Sequence, residues 1–222
     1  MRTPALLVRD LEFRWPGDDS FCLRLPNLAV NRQNSLFLHG PSGCGKSTLL
    51  NLIGGVLLPQ AGHIELLGQS FSELPASRRD AFRADHLGFI FQQFNLIPYL
   101  SVLDNVLLPC RFSARRAKRV SQPEAEARRL IGALDLDLAL LGRPAAELSV
   151  GQQQRVAAAR ALIGQPEILI ADEPTSALDA ERQGAFVELL LSEARRAGSA
   201  VVFVSHDLRL ATHFDHSLAL AP

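Results

Sequence analysis

A glycine-rich segment between two apolar runs constrains the fold of this chain more than any other feature. It comprises Gly40, Pro41, Ser42, Gly43, Cys44, Gly45, Lys46, Ser47 and Thr48. The run 36–39 before it has the pattern of a strand, and the run 49–53 after it has the pattern of a helix. Glycines allow successive backbone N–H groups to surround an anion, and the following helix adds the positive end of its dipole. The segment therefore predicts a phosphate-binding loop between a strand and a helix.

Three side chains of this loop suit the phosphates of a nucleotide. Lys46 supplies a point charge for the β- and γ-phosphates. Ser47 offers a hydroxyl group to Mg²⁺, the hard cation that accompanies nucleotide phosphates, and Thr48 is placed to meet the α-phosphate. Cys44 is interpreted as a small filler. With Cys22 and Cys110 it makes an odd number of cysteines without metal-ligand spacing, which indicates reduced thiols.

Short apolar runs alternate with helical patterns along the rest of the chain. The predicted strands are 6–13, 36–39, 63–67, 87–91, 168–171 and 201–204. The most continuous of them contain few polar residues, which is typical of parallel strands that are buried on both faces. Residues 75–143 instead have Leu and Ala at helical spacing, in segments 103–108, 114–120 and 123–134. The pattern predicts one α/β domain of 222 residues with a helical insertion.

Two adjacent carboxylates, Asp172 and Glu173, follow the apolar run 168–171. Ligands of open parallel sheets bind outside the carboxyl ends of the strands, so both acids are expected beside the phosphate loop. Asp172 is suited to hold the metal, usually through water, as the second acidic group does in phosphate-loop enzymes. Glu173 is then free to act as general base or to orient the attacking water.

A histidine follows the third apolar strand. His206 comes shortly after the run 201–204, so the sequence predicts that an imidazole joins the two acids at one sheet edge. There it can bind the γ-phosphate or hold the water. The sequence assigns no role to the other histidines, which are His39, His63, His86, His213 and His216.

A second helix N-terminus is predicted near residue 149. The segment 148–155 precedes an Ala-rich helical pattern over 156–163, with Ser149 in the N-cap position. Such an N-terminus can hold an anion. Taken alone, the segment 148–155 is a well-capped helix start. Together with the phosphate loop and the acids, it is interpreted as one half of a composite nucleotide site.

Six elements in this order resemble the ATP-binding subunit of an ABC transporter, and the resemblance covers nearly the whole chain. Besides the phosphate loop, Gln92 in the run 89–96 matches the Q-loop and His206 the switch histidine. The run 148–155 is similar to the signature motif, 168–174 to the Walker B strand and 176–179 to the D-loop, which ends at Asp179. Trp15 lies near the position of the aromatic residue that stacks on adenine, and Phe13 is the less favoured alternative.

The resemblance implies a P-loop NTPase with an ABC-type RecA-like core, an antiparallel β lobe and a helical subdomain formed by about 75–143 and the start of 144–165. It implies ATP and Mg²⁺ as ligands, with Ser47, Gln92 and Asp172 near the metal. The residues it implies for catalysis are Lys46, Gln92, Glu173 and His206.

The resemblance also implies that two subunits pair head to tail. Each ATP would lie between the phosphate loop of one chain and Ser149, Gly151 and Gln152 of the other, with Asp179 also at the nucleotide. The second subunit would be another copy of the chain or a homologous ATPase, and a separately encoded integral-membrane permease would bind a groove near Gln92. The protein would then lie at the cytoplasmic face of the inner membrane, attached through the permease.

The short sequence segments 91–98, 101–106 and 151–157 are similar to those of the lipoprotein-release and macrolide-export branch of the family. An ABC-type regulator of a membrane complex, of the cell-division kind, is the alternative, because its motifs hardly differ. A DNA-repair or translation ATPase is disfavoured by the length and by the balance of 23 basic and 23 acidic residues, so no nucleic-acid partner is expected. No apolar stretch approaches the roughly 20 residues of a membrane span.

Two local features depart from a plain reading of the motifs. Val150 stands where the family usually has a glycine, and its β-branched side chain restricts the backbone. Because Ser149 and Gly151 remain, we expect activity, and a reduced rate is the alternative. The run 111–119 carries five basic residues. It is interpreted as a solvated helix face, and a contact with lipid or nucleic-acid phosphates is the alternative.

Overall fold

The computed structural model describes residues 3–17, 22–176 and 178–220. Its strands are β1 Leu6–Phe13, β2 Leu23–Val30, β3 Ser35–His39, β4 Ala61–Leu66, β5 Gln69–Ser70, β6 Leu87–Ile90, β7 Ile168–Asp172, β8 Ala200–Val204 and β9 His216–Ala219. Its helices are α1 Lys46–Ile53, α2 Ala76–His86, α3 Val102–Phe112, α4 Ala114–Lys118, α5 Pro123–Ala133, α6 Val150–Leu162 and α7 Ala180–Ala197. None of the helices in the described ranges is long and apolar enough to cross a membrane.

The strands form two sheets. The antiparallel sheet has the order β2-β1-β4-β5, and the second sheet has the order β6-β7-β8-β3-β9 with parallel pairing throughout. Each predicted strand is present, with ends shifted by up to two residues. The sequence did not predict β2, β5 and β9. Among these, β2 contains Pro26 and lies at a sheet edge, where proline is tolerated because one side of the strand needs no partner.

The central parallel strands are continuously apolar because each of them faces two cores. Phe37, Leu169 and Phe203 pack on the side of the parallel sheet that is covered by α3, α5, α6 and α7. Their neighbours Leu38 and Ile170 pack on the other side, against α1 and the antiparallel sheet. Side chains alternate between the two faces of a strand, so burial of both faces leaves no position for a polar residue. The predicted α/β architecture with an antiparallel lobe is confirmed.

One part of the predicted helical region 75–143 is a strand of the core. β6 pairs in parallel with β7 over Leu87–Ile90, between α2 and α3 in the chain. The helical region is therefore not one uninterrupted insertion. The predicted helices 103–108, 114–120 and 123–134 correspond to α3, α4 and α5.

The basic run 111–119 is a solvated face only in part: Arg111, Arg115, Lys118 and Arg119 are exposed, but Arg116 is buried, which the sequence interpretation did not foresee. Arg116 is only 3% exposed, and its guanidinium donates to the carbonyl oxygens of Leu87 at 3.2 Å, of Ala161 at 2.7 Å and of Ile163. Burial lowers the pKa of Arg116 to about 10. Two of these carbonyls end α6, where a cation is favoured by the helix dipole. Arg116 therefore anchors the end of α6.

Glu167, the residue before β7, gathers the neighbouring cations. Its carboxylate is 2.6 Å from Arg115, 2.7 Å from Arg119 and 3.1 Å from Nδ1 of His86, and its side chain is 4% exposed. Burial alone would raise the pKa of Glu167, but hydrogen bonds from His86 and Arg115 and the nearby positive charges outweigh it and lower the pKa to about 2. The ion pairs of Glu167 therefore hold α4 and α2 against the start of β7.

Candidate functional site

The glycine-rich loop connects β3 to α1, as its sequence predicts. Gly43 and Gly45 have φ of 83° and 97°, a region that other residues rarely adopt, and α1 begins directly after Gly45. At Gly40 a Cβ atom would lie 2.6 Å from the carbonyl oxygen of Leu220, so only glycine fits there without displacement of the backbone. The loop therefore has the tight backbone path that a phosphate cradle requires.

Lys46 lies across this loop. Its Nζ donates to the carbonyl oxygens of Gly40 at 2.8 Å and Pro41 at 2.9 Å, and it is 4.0 Å from Sγ of Cys44. Cys44 is 2% exposed, so its thiol fills the space beneath the loop. These contacts hold a positive charge within the curve of the loop.

The two predicted acids lie at the carboxyl end of β7. Burial raises the pKa of Asp172, and a hydrogen bond with Ser47 and the charge of Lys46 act in the opposite direction. Glu173 has a left-handed φ of 47°, and its N–H donates to the carbonyl oxygen of Val204 at 3.0 Å. This bond to the end of β8 fixes the turn that directs the chain out of β7.

His206 lies beside Glu173. Its Nδ1 is 2.6 Å from Oε2 of Glu173, although the two residues are 33 positions apart in sequence. The imidazole is 70% exposed and the carboxylate is 16% exposed, so the ring is open to solvent while the acid is largely covered. The ends of β3, β7 and β8 thus bring the loop, the acids and the imidazole to one edge of the sheet.

The loop and the two acids line a cleft of about 480 Å³, and His206 reaches it only through its contact with Glu173. Its lining consists of Trp15, Ser42, Gly43, Gly45, Lys46, Ser47, Thr48, Gln92, Asp172 and Glu173. Trp15 is 42% exposed, whereas Phe13 is 5% exposed and packs edge-on against Trp15 with ring centroids 5.3 Å apart. Only Trp15 of these two presents a ring face to a ligand in the cleft.

The predicted signature residues do not line this cleft. Ser149 caps α6: its Oγ accepts from the N–H of Gln152 at 3.3 Å, and Oε1 of Gln152 accepts from the N–H of Ser149 at 2.9 Å. The predicted N-cap is thus present, with α6 starting six residues earlier than the predicted helix. Val150 is 51% exposed at this helix start. Gly151 lies near Leu178, since a Cβ there would be 3.7 Å from the Leu178 Cδ2 atom.

Asp179 caps the next helix in the same way. Its carboxylate accepts from the N–H of Arg182 at 3.0 Å at the start of α7. The D-loop segment 176–179 includes Ala177, which lies outside the described residues. Ser149, Gly151, Gln152 and Asp179 therefore belong to helix starts away from the cleft that holds the other predicted residues.

The oxygen atoms around the cleft fit Mg²⁺. Ser47, Gln92 and Asp172 offer a hydroxyl, an amide and a carboxylate oxygen, the donor types that this hard cation prefers. The described ranges contain no group of three or more His, Cys, Asp or Glu side chains that could hold a metal ion alone. The donor set therefore suits an ion that also binds the phosphates of its nucleotide.

A second concave surface lies next to Gln92, where the resemblance implies a groove for the permease. A groove of about 430 Å³ lies between α2, α3 and the residues after β6. Phe89, Phe91, Leu108 and Phe112 line it, and Phe112 is 79% exposed. Arg160 lies in the same groove and donates to the carbonyl oxygens of Asn95 and Phe94. The resemblance gave the position of the groove near Gln92 but not the residues that line it.

Comparison with known proteins gives a consistent set of relatives. The model of the ABC transporter family matches residues 23–176. The lipoprotein-releasing system ATP-binding protein LolD of Novosphingobium aromaticivorans is 40% identical over 222 residues, which cover 99% of this chain and 97% of that protein. An uncharacterized ABC transporter ATP-binding protein of Escherichia coli K12, YbbA, is 41% identical over 87% of this chain and 83% of its own length.

Solved structures agree with the sequence relatives. The dimeric ABC transporter cassette MJ0796 superposes with a TM-score of 0.84 at 32% identity and covers 97% of this chain and 94% of that one. A dimer of the same cassette in a post-hydrolysis state, bound to ADP and Pi, gives a TM-score of 0.81 at 33% identity over the same shares of both chains.

Proposed function

The chain belongs to the ABC transporter family as an ATP-hydrolysing subunit, and we propose that it drives a separately encoded membrane permease of the lipoprotein-release type. The observation that carries this proposal is that Lys46, Asp172 and Glu173 line one cleft, and that His206 lies 2.6 Å from Glu173 at its edge. A cation, a metal ligand, a base and an imidazole are the groups that phosphoryl transfer to water requires.

Each of these residues has a role that follows from its place. Backbone N–H groups of the loop and Nζ of Lys46 bind the phosphates, and Trp15 stacks on the base. Glu173 accepts a proton from the attacking water, and His206, hydrogen-bonded to Glu173, orients that water or the γ-phosphate. Ser47, Asp172 and Gln92 would hold Mg²⁺, which supplies positive charge to the phosphate oxygens when bound.

The remaining wall of the site comes from a second copy or a homologous ATPase subunit. Ser149 uses an oxygen lone pair to cap α6, which leaves its O–H free to donate to a phosphate of the other chain. Gly151 and the N-terminus of α6 add a close backbone approach and a positive dipole end. We expect Gln152 and Asp179 to contact the same nucleotide from that second subunit.

The permease binds at the groove lined by Phe91 and Phe112. These two rings are 41% and 79% exposed, and Phe91 immediately precedes Gln92, which lines the nucleotide cleft. A movement of Gln92 is therefore transmitted directly to the groove. Replacement of Phe112 by Asp should abolish co-purification with the permease and leave ATP affinity unchanged, whereas Leu138→Ser, an exposed apolar residue outside the groove, should change neither.

The lipoprotein-release type is favoured over the cell-division type by the named function of the relative that matches along nearly its whole length. The protein then works at the cytoplasmic face of the inner membrane, bound through its permease. Identification of the membrane protein that co-purifies with the chain decides between the two types. A cell-division partner in place of a permease would refute the transport proposal.

Replacement of Glu173 by Gln tests the catalytic arrangement. The amide keeps the shape of the side chain but accepts no proton, so we expect ATP binding to persist, turnover to fall by about a thousandfold and a closed dimer to accumulate. Size-exclusion chromatography with ATP and a phosphate-release assay measure both effects. Hydrolysis at the wild-type rate would refute the role of Glu173.

A further inference from the structure

Within the described residues, two glutamine side chains have buried amide atoms without a hydrogen-bond partner. Gln154 in α6 is 1% exposed, and neither its Nε2 nor its Oε1 is bonded. Oε1 of Gln183 in α7 is likewise unbonded. Buried polar atoms are nearly always paired, so three such atoms in two side chains need an explanation.

One of these amides, Gln183, contacts residues between Glu173 and Asp179. Nε2 of Gln183 donates to the carbonyl oxygens of Thr175 at 3.2 Å and Leu178 at 3.0 Å, so Gln183 holds this segment directly. Gly151 faces Leu178, and Gln154 follows Gly151 by three residues, which places it on the same face of α6. Helical spacing therefore puts the buried Gln154 on the side of α6 where Gly151 lies near Leu178.

An amide has two donors and an acceptor, and leucine of similar size would fill the same space without any unbonded polar atom. We propose that Gln154 is a positioning residue, whose amide pairs with Oε1 of Gln183 and with the backbone at Thr175 or Leu178 when two copies close on ATP. In the paired state, hydrogen bonds connect α6 to the segment that follows Glu173. Closure of the dimer would thereby fix the position of the Glu173 carboxylate. This inference rests on the proposed dimeric ATP cycle.

Replacement of Gln154 by Leu should move stability and activity in opposite directions. Without nucleotide, we expect the melting temperature to rise by about 2–4 °C, because an unpaired buried amide is removed. The kcat for ATP should fall about tenfold with KM within about twofold, because the lost bonds form only in the closed state. Gln153→Leu is the matched control: Gln153 donates to the carbonyl oxygens of Ala145 and Leu148, so its loss should lower the melting temperature.

A second measurement isolates closure from folding. In the Glu173→Gln background with ATP, addition of Gln154→Leu should weaken dimerisation about tenfold in sedimentation equilibrium, which a purely structural role would not do. Gln154→Met is measured in parallel. Either apolar variant with a lowered or unchanged melting temperature, or with wild-type kcat, would overturn the inference. Failure of the parent chain to hydrolyse ATP, or of the Glu173→Gln parent to dimerise, would instead refute the proposed function.

Discussion

Replacement of Glu167 by Gln tests whether the basic run serves the fold rather than an external ligand. The pKa of about 2, in place of an ordinary 4.5, corresponds to about 3 kcal/mol of stability. The folded-state pKa is the lower one, so this stability is present above pH 4.5 and is lost as the pH falls toward 2. The amide keeps the shape of the carboxylate and leaves Arg115, Arg119 and His86 without their anion.

The measurement is urea unfolding of both proteins at pH 7 and at pH 3. We expect the variant to lose about 3 kcal/mol at pH 7, which lowers the melting temperature by about 6–12 °C, and about half as much at pH 3. Asp104→Asn is the control, because Asp104 also pairs with an arginine but both partners are substantially exposed. The Asp104→Asn variant should lose less than about 1 kcal/mol of its free energy of unfolding. An equal loss at both pH values, or a loss at pH 7 no larger than that of the control, would refute the reasoning.

Three further substitutions test the nucleotide site. Lys46→Ala should weaken ATP binding by at least about a hundredfold in calorimetric titration, because a buried phosphate loses its cation; full affinity would contradict the role of Lys46. Ser149→Arg should leave monomer ATP affinity unchanged and abolish turnover, and a loss of monomer binding would show that Ser149 acts within its own chain. Val150→Gly should raise kcat, since the side chain that restricts the helix start is removed. An unchanged or lower kcat would show that Val150 does not reduce the activity.

The sequence predicted the central sheet and the cleft because each depends on a strong local pattern. Continuous apolar runs marked β3, β7 and β8, and the residues just after them had to meet at the carboxyl edge of a parallel sheet. The edge strand β9 and the proline-containing β2 carry no such pattern, since their pairing is decided by neighbours distant in sequence.

A different reason explains why the burial of Arg116 in the basic run was not predicted. Its composition is that of a solvated helix, and only tertiary contacts place Arg116 against the carbonyl oxygens that end α6 and Glu167 beneath Arg115 and Arg119. A single sequence does not reveal which charges find buried partners. The residues that line the groove around Phe112 were not predicted for the same reason, because they come from elements that are separate in the chain.

The anchorage of α6 at one end gives the helix the mechanics of a lever. Its 13 residues span about 20 Å, from Ser149 at the free end to the carbonyls held by Arg116. A rotation of about 10° around the held end would sweep Ser149 through about 3 Å, the difference between a hydrogen bond to phosphate and none. In the proposed complex, the stiffness of the Arg116 anchor then sets how much of a displacement at the permease interface reaches Ser149 at the other end of α6.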